Sequence, residues 1–173
     1  MTVETLRAKV RDVPDFPKPG IIFKDIMPLL ADAAALKETV DLLAEWAEPR
    51  KPDLILGAEA RGFITGGALA CRLGCGFVPA RKPGKLPWRT VSAKYALEYG
   101  YDTLEVHADA IIKGQRVLIH DDVLATGGTA KAKTELVEQL GGEVVGLAFI
   151  IALDFLNGRD RLGGYDVQAL LHY

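Results

Sequence analysis

The chain has 173 residues and a formal net charge of −2, with apolar and charged residues in ordinary globular proportions. This length suits one domain with a sizeable core, and the slight negative charge gives no electrostatic basis for binding nucleic acid or a membrane surface. No apolar run is long enough to span a bilayer, the first residues lack a signal-peptide pattern, and Cys71 and Cys75 lack the partners of a metal site. We therefore expect a cytoplasmic protein with reduced thiols.

Helices and strands are predicted to alternate along the chain. A short amphipathic helix is expected over about residues 2–12, then a loop with three prolines at 14–20, then a helix over 32–48. Further elements are expected as strands at 54–56, 77–80, 117–119 and 144–153, helices ending near 73 and 140, and a hairpin over 94–106. This alternation predicts βαβ units and therefore an α/β fold, with a mostly parallel sheet flanked by helices.

A loop of small residues follows the strand at 117–119 and precedes a helix. Its glycines allow backbone N–H groups to point into a concave turn, its threonines add hydroxyl donors, and the helix supplies the positive end of its dipole. These features predict a binding site for one phosphate group without a lysine. The residues concerned are Ala125, Thr126, Gly127, Gly128 and Thr129.

Two adjacent carboxylates, Asp121 and Asp122, stand just before that loop. They would repel a phosphate, but a carboxylate accepts hydrogen bonds from ribose hydroxyls and can hold a hydrated Mg²⁺ ion. A buried strand followed by a glycine turn would explain the glycines but not the acid pair, which is costly to bury unpaired. The sequences of a Walker A loop and of a dinucleotide fingerprint are both absent. The combination predicts a ribose 5-phosphate site.

The stretch 117–130 resembles the phosphoribosyl pyrophosphate motif of type I phosphoribosyltransferases. Five segments also resemble adenine phosphoribosyltransferases: 14–26 (PDFPKPGIIFKDI), 59–63 (EARGF), 81–87 (RKPGKLP), 95–100 (YALEYG) and 124–129 (LATGGT). The similarity covers nearly the whole chain, and the PDFPKPG and LEYG segments are specific to the adenine enzymes. It implies a single type I domain over 1–173, with a small N-terminal hood for base recognition at about 1–30 and a flexible loop and flap at about 82–106.

The resemblance implies a Mg²⁺-dependent glycosyltransferase of purine salvage, which makes AMP and pyrophosphate from adenine and phosphoribosyl pyrophosphate. Negative charge builds on the leaving pyrophosphate, so cationic groups should accelerate the reaction. The implied pyrophosphate-binding residues are Glu59, Ala60, Arg61, Arg81 and Lys85. The family often has a cis peptide at the bond matching Glu59–Ala60. In relatives the residue matching Arg81 reaches the pyrophosphate of the neighbouring subunit, which implies a homodimer.

The resemblance also assigns the base contacts. Glu98 matches an acidic residue that relatives place near N7 of the base on the flap, and it joins Asp121 and Asp122 as an expected catalytic residue. Adenine is expected at Ile22, Phe23, Lys24 and Leu153, with lysine at 24 where many relatives have arginine. His120 stands where relatives usually carry valine, and we expect it to be structural.

Two alternatives remain at this point. A phosphoribosyltransferase for another base would keep the ribose 5-phosphate site and differ around residues 22–24 and at Glu98. A regulatory module that binds phosphoribosyl pyrophosphate without turnover usually carries an extra DNA-binding domain, which we do not expect in a chain of this length that is not basic.

Overall fold

The computed structural model describes residues 2–96 and 100–173. The helices in these ranges are α1 (Val3–Arg7), α2 (Met27–Ala31), α3 (Ala33–Ala47), α4 (Arg61–Leu73) and α5 (Gly128–Gln139), with short 3₁₀ helices at Glu48–Arg50, Asp154–Leu156 and Gly158–Leu162. The strands are β1 (Arg11–Pro14), β2 (Ile22–Asp25), β3 (Leu54–Ala58), β4 (Gly76–Ala80), β5 (Thr90–Ala96), β6 (Tyr101–His107), β7 (Arg116–Leu124), β8 (Glu143–Ala152) and β9 (Val167–His172). None of the helices in this part of the chain is long and apolar enough to cross a membrane.

A parallel sheet forms the centre of the molecule, as the alternation of elements predicts. Its strand order is β4-β3-β7-β8-β9, and every neighbouring pair in it is parallel. The middle strands are apolar because helices cover both faces, and the buried side chains form one cluster on each face. The α/β fold with flanking helices is therefore confirmed.

Two small antiparallel sheets stand outside this core. The strands β1 and β2 pair near the N-terminus, and β5 and β6 form the expected hairpin. The prediction of helix up to residue 12 was wrong, because α1 ends at Arg7 and residues 11–14 pair with residues 22–25 instead. Long-range pairing across the proline loop decides this segment, and local periodicity does not show it.

Several strands are longer than their apolar runs. The strand β7 continues past Ile119 to Leu124, so the acid pair lies within the strand and not beyond its end. Its ladder with β8 persists to Ala152, since backbone pairing does not require apolar side chains. The hairpin strand β5 begins at Thr90, and the last strand, β9, was not predicted at all.

The helices are anchored to the sheet at specific residues. Asp32 caps α3, accepting hydrogen bonds from the backbone N–H groups of Ala34 and Ala35. At Gly66 in α4, a side chain would come within 2.8 Å of the Phe77 ring, so only glycine allows this close approach of helix and strand. Because β3, β4, β7 and β8 are parallel, their carboxyl ends meet at one edge, where ligands bind in open α/β sheets.

Candidate active site

The loop after β7 forms a small concave site at this edge. A cavity of about 80 Å³ is lined by Asp121, Val123, Leu124, Ala125, Thr126, Gly127, Gly128, Thr129, Ala130 and Phe149. Gly127 has φ +82°, a left-handed conformation that favours glycine, and α5 begins at the next residue. The structure thus brings the five predicted phosphate-loop residues together at a helix N-terminus, as a phosphate site requires.

The phosphate loop is supported from behind by backbone. A Cβ atom on Gly127 would lie 2.3 Å from the carbonyl oxygen of Gly158, and one on Gly158 would lie 2.1 Å from the carbonyl oxygen of Ala125. Both positions therefore need glycine. Sequence reasoning missed Gly158, since a contact between two backbones leaves no local pattern around it.

The first carboxylate of the acid pair is fixed by two hydrogen bonds. Asp121 Oδ2 accepts one from Lys133 Nζ at 2.7 Å, and Asp121 Oδ1 accepts one from the backbone N–H of Asp122 at 3.0 Å. Lys133 is completely buried in α5. Sequence reasoning missed it, although Ala130, Lys133 and Val137 share the buried face at helical spacing.

The second carboxylate is buried beside a cation. Arg61 Nε lies 2.6 Å from Asp122 Oδ2 as an ion pair, but this oxygen has no well-aligned hydrogen-bond donor among the described residues. Burial raises the pKa of Asp122 to about 7, and the neighbouring Asp121 adds to that shift while Arg61 opposes it. Asp122 is therefore a carboxylate whose charge depends on the cations around it.

The turn before Arg61 carries the cis peptide bond at Glu59–Ala60 that the resemblance implies. Glu59 Oε1 accepts a hydrogen bond from the backbone N–H of Lys82 at 2.7 Å, and Arg81 Nη2 donates to Glu59 Oε2 at 3.4 Å. The Lys82 amide, with Arg81 beside it, lowers the pKa of Glu59 below its ordinary value. The Glu59 side chain thus holds the start of the cationic loop against the turn, and Lys85 is exposed further along that loop.

The N-terminal segment expected to recognise the base meets the turn through one aromatic ring. The Cζ atom of Arg61 lies 5.0 Å from the ring centroid of Phe23, and Phe16 packs edge-on against that ring at 5.2 Å. Ile22 is 56% exposed and is therefore open to a ligand. Leu153 instead lines a cavity of about 290 Å³ beside Gly158.

Lys24 is engaged by residues of the protein itself. Its Nζ donates to Asp12 Oδ1 at 2.7 Å and lies 4.2 Å from the ring centroid of Tyr173. These contacts tie β2 to β1 and to the C-terminal residue.

Comparisons with known proteins agree over the full chain. Residues 27–166 match the family model described as "Phosphoribosyl transferase domain". The chain is 59% identical over 170 residues to the adenine phosphoribosyltransferase of Koribacter versatilis, covering 98% of this chain and 93% of that protein. The chain belongs to the adenine phosphoribosyltransferase family.

Solved structures of adenine phosphoribosyltransferases share the fold closely. The enzyme of Thermoanaerobacter pseudethanolicus superposes with a TM-score of 0.97 at 55% identity, covering 99% of this chain and 100% of that one. The Saccharomyces cerevisiae enzyme superposes with a TM-score of 0.94 at 41% identity, covering 98% of both chains. It was solved in complex with adenine and an imino-altritol bisphosphate. The type I phosphoribosyltransferase fold is therefore established.

The strand β5 of the hairpin lies next to the phosphate loop. A Cβ atom on Gly128 would lie 3.1 Å from the carbonyl oxygen of Ala96 and 3.4 Å from the Tyr95 ring, so β5 packs directly on the start of α5. Glu98, the expected proton-transfer residue, lies outside the described residues, and its role stays a prediction.

His120 is structural, as expected. It is 0% exposed, its Nε2 lies 2.6 Å from Thr65 Oγ1, and its Nδ1 lies 2.9 Å from the carbonyl oxygen of Ala148. Burial lowers its pKa to about 4, against the opposing effect of Asp121. The imidazole is therefore neutral at physiological pH and joins α4 to the sheet.

The chemistry of the acid pair is compatible with a Mg²⁺ ion that would take its other ligands from substrate and water. The described residues contain no cluster of three His, Cys, Asp or Glu side chains that could hold a metal by themselves. Asp122 Oδ2, however, is a buried oxygen without a well-aligned donor, and Mg²⁺ usually keeps several waters and binds through one or two carboxylates plus phosphate oxygens. Asp121 and Asp122 are therefore the residues that would hold such an ion, through water or through ribose hydroxyls.

Proposed function

We propose that this chain transfers the 5-phosphoribosyl group of phosphoribosyl pyrophosphate to N9 of adenine, giving AMP and pyrophosphate. The contact of Arg61 with both Asp122 and Phe23 carries the proposal. Carbon C1 of the ribose is the point at which base, sugar and leaving group meet, and Arg61 lies where the elements assigned to all three converge. The high identity with adenine phosphoribosyltransferases over the whole chain supports adenine as the base.

The ribose 5-phosphate half of the substrate is assigned to β7 and α5. The phosphate binds the backbone N–H groups of residues 125–129, where the positive end of the α5 dipole favours an anion. The ribose hydroxyls donate hydrogen bonds to Asp121 and Asp122. This places the ribose across the last residues of β7, with C1 toward Arg61.

The leaving group is stabilised by positive charge. Displacement at C1 passes through an oxocarbenium-like state while charge accumulates on pyrophosphate, so Arg61, Arg81 and Lys85 lower the barrier. Backbone groups at Glu59 and Ala60 complete this part of the site. Mg²⁺, when bound, neutralises charge on the pyrophosphate oxygens as a Lewis acid.

The base is held by the N-terminal segment. Backbone groups at Ile22 read the amine edge of adenine, the ring stacks against Phe23 or Ile22 opposite Leu153, and Lys24 supports β2. Adenine loses a proton as N9 forms its bond to C1 of the ribose, and Glu98 accepts that proton at N7.

A homodimer and a cytoplasmic location complete the proposal. In relatives the residue matching Arg81 reaches the pyrophosphate of the neighbouring subunit, and we propose the same role for Arg81. In this chain the Arg81 guanidinium contacts Glu59 at the base of the cationic loop.

The test is a pyrophosphate-release assay with Mg²⁺, phosphoribosyl pyrophosphate and one base at a time: adenine, hypoxanthine, guanine, xanthine or orotate. We expect release with adenine alone. Release with another base only would contradict the assignment of the N-terminal segment. Binding of phosphoribosyl pyrophosphate without release for any base would favour the regulatory module.

A further inference from the structure

Lys133 lies entirely inside the protein, and the reaction described above makes no use of it. Its side chain is 0% exposed, and its Nζ donates to Asp121 Oδ2 at 2.7 Å and to the carbonyl oxygen of His120 at 3.1 Å. An ammonium group survives burial only with close partners, since it loses its hydration. Both partners belong to the strand that carries the acid pair, so this cation is directed at the site.

A contribution to folding stability does not by itself explain why a lysine is buried at position 133. A buried ion pair is often no more stabilising than well-packed apolar residues of similar volume. The buried face of α5 around it is formed by small or apolar residues such as Ala130 and Val137, among which a methionine at 133 would have a similar shape. The charge of Lys133 is therefore best explained by a partner residue whose function depends on that charge.

Asp121 is that partner, and three elements hold it. Lys133 reaches it from α5, the backbone N–H of Asp122 reaches it within β7, and Gly62 lies against it from α4, where a Cβ atom would come within 2.6 Å of Asp121 Oδ1. The helix α5 begins at the phosphate loop and α4 begins at the pyrophosphate turn. The position of this one carboxylate is thus linked to both ends of the substrate site.

Lys133 supplies one of the two cations that face the acid pair. Asp121 and Asp122 face Lys133 and Arg61, while His120 and Tyr95, which lie within reach of the Asp121 charge, add no positive charge near neutral pH. Arg61 is expected to turn toward pyrophosphate during the reaction. Lys133 is then the cation that stays with the pair.

We propose that Lys133 is a positioning residue, which holds the Asp121 carboxylate in place and balances its charge so that it can accept hydrogen bonds from the ribose of phosphoribosyl pyrophosphate. This inference rests on the proposed function. It assigns Lys133 an effect on binding of the ribose donor and none on binding of adenine.

The test compares Lys133→Met with Lys131→Met, which removes a less buried lysine from the same helix. Steady-state kinetics with both substrates and thermal unfolding are measured for each variant. We expect Lys133→Met to raise the KM for phosphoribosyl pyrophosphate by at least about tenfold, with the KM for adenine changed less than about twofold. Lys131→Met should leave both constants unchanged. The amide of Lys133→Gln still donates a hydrogen bond. Its KM for phosphoribosyl pyrophosphate should therefore lie between those of Lys133→Met and the unchanged chain.

An unchanged KM for phosphoribosyl pyrophosphate in folded Lys133→Met would overturn the inference. So would equal changes in both KM values that follow the loss of thermal stability, since these would mark a purely structural role. If Lys133→Met does not fold, the same comparison of KM values in Lys133→Gln decides, and failure of both to fold would also count for the structural role. Turnover of adenine by the unchanged chain tests the proposed function separately.

Discussion

The two halves of the proposed site are built by different means. The ribose 5-phosphate half uses backbone groups, glycines and buried ion pairs at the end of the parallel sheet, where Lys133 and Asp122 are almost fully enclosed. The proposed base half uses the Phe23 ring and the backbone of Ile22, which is 56% exposed, on a two-stranded antiparallel sheet. The first half is thus fixed by the core, whereas the second adds specificity at the surface.

Arg61 joins the two halves, so its substitution should reduce kcat/KM more than any other change considered. Arg61→Ala removes positive charge from the leaving-group side, leaves Asp122 buried without its cation and removes the contact with Phe23. We expect kcat/KM to fall by about 10²–10³-fold, the usual cost of losing a preorganised group at developing charge. The measurement is initial-rate kinetics, with Arg72→Ala, an exposed arginine of the same helix paired with Asp41, as the control. A loss no larger than that of the control would contradict the assignment.

In the enclosed half, the buried Asp122 carboxyl should make the free energy of unfolding depend on pH. The pKa of Asp122 is about 7 in the folded chain and near 3.8 when unfolded, so the folded state binds more protons between these values and the free energy of unfolding falls as pH rises. Relative to Asp122→Asn, the unchanged chain should lose up to about 4 kcal/mol between pH 4 and 7. Denaturant unfolding at several pH values measures this difference.

His120 should give the opposite slope in the same assay. Its pKa is about 4 in the folded chain and 6.5 when unfolded, so the unfolded state binds more protons in this range and stability falls as pH falls. Relative to His120→Val, the unchanged chain should lose stability from pH 6.5 down to 4. Parallel curves for either variant and the unchanged chain would show that the group does not titrate as its burial requires.

A smaller effect is expected from the backbone contact behind the phosphate loop. Gly127→Ala forces alanine into a left-handed conformation at a cost of about 1–2 kcal/mol and also meets the carbonyl oxygen of Gly158. Gly74→Ala is the control. Gly74 has φ +69°, but an added Cβ atom there would meet nothing within 4 Å, so this variant has the conformational cost alone. Gly127→Ala should therefore lower the unfolding free energy more, and it alone should raise the KM for phosphoribosyl pyrophosphate. Equal effects of the two substitutions would mean that the phosphate loop accommodates the added Cβ atom without a further loss of stability or of substrate binding.

The smallest effects should come from the base half. Phe23→Ala removes a ring that faces Arg61 and should raise the KM for adenine by about tenfold, with the other KM unchanged. Lys24→Met, whose cation is already engaged by Asp12 and Tyr173, should change it less than about threefold. Kinetics with adenine varied at saturating phosphoribosyl pyrophosphate distinguish the two. A larger effect from Lys24 would assign it a direct contact with the base.

The difference between local patterns and contacts of distant segments explains which features the sequence could predict. The parallel sheet, the phosphate loop and the structural role of His120 follow from apolar runs, small residues and side-chain chemistry that are local in the chain. The pairing of β1 with β2, the contact of Gly127 with Gly158 and the pairing of Lys133 with Asp121 join distant segments, so no local pattern reports them. Helical spacing places Lys133 on a buried face, but only the fold shows which carboxylate it meets.

A crystal structure of the chain with AMP bound would test the central claim most directly. The account predicts the phosphate on the backbone N–H groups of residues 125–129, the ribose hydroxyls on Asp121 and Asp122, and the adenine ring against Ile22 or Phe23. A phosphate bound elsewhere, such as in the cavity beside Leu153 and Arg159, would contradict the assignment of the two halves.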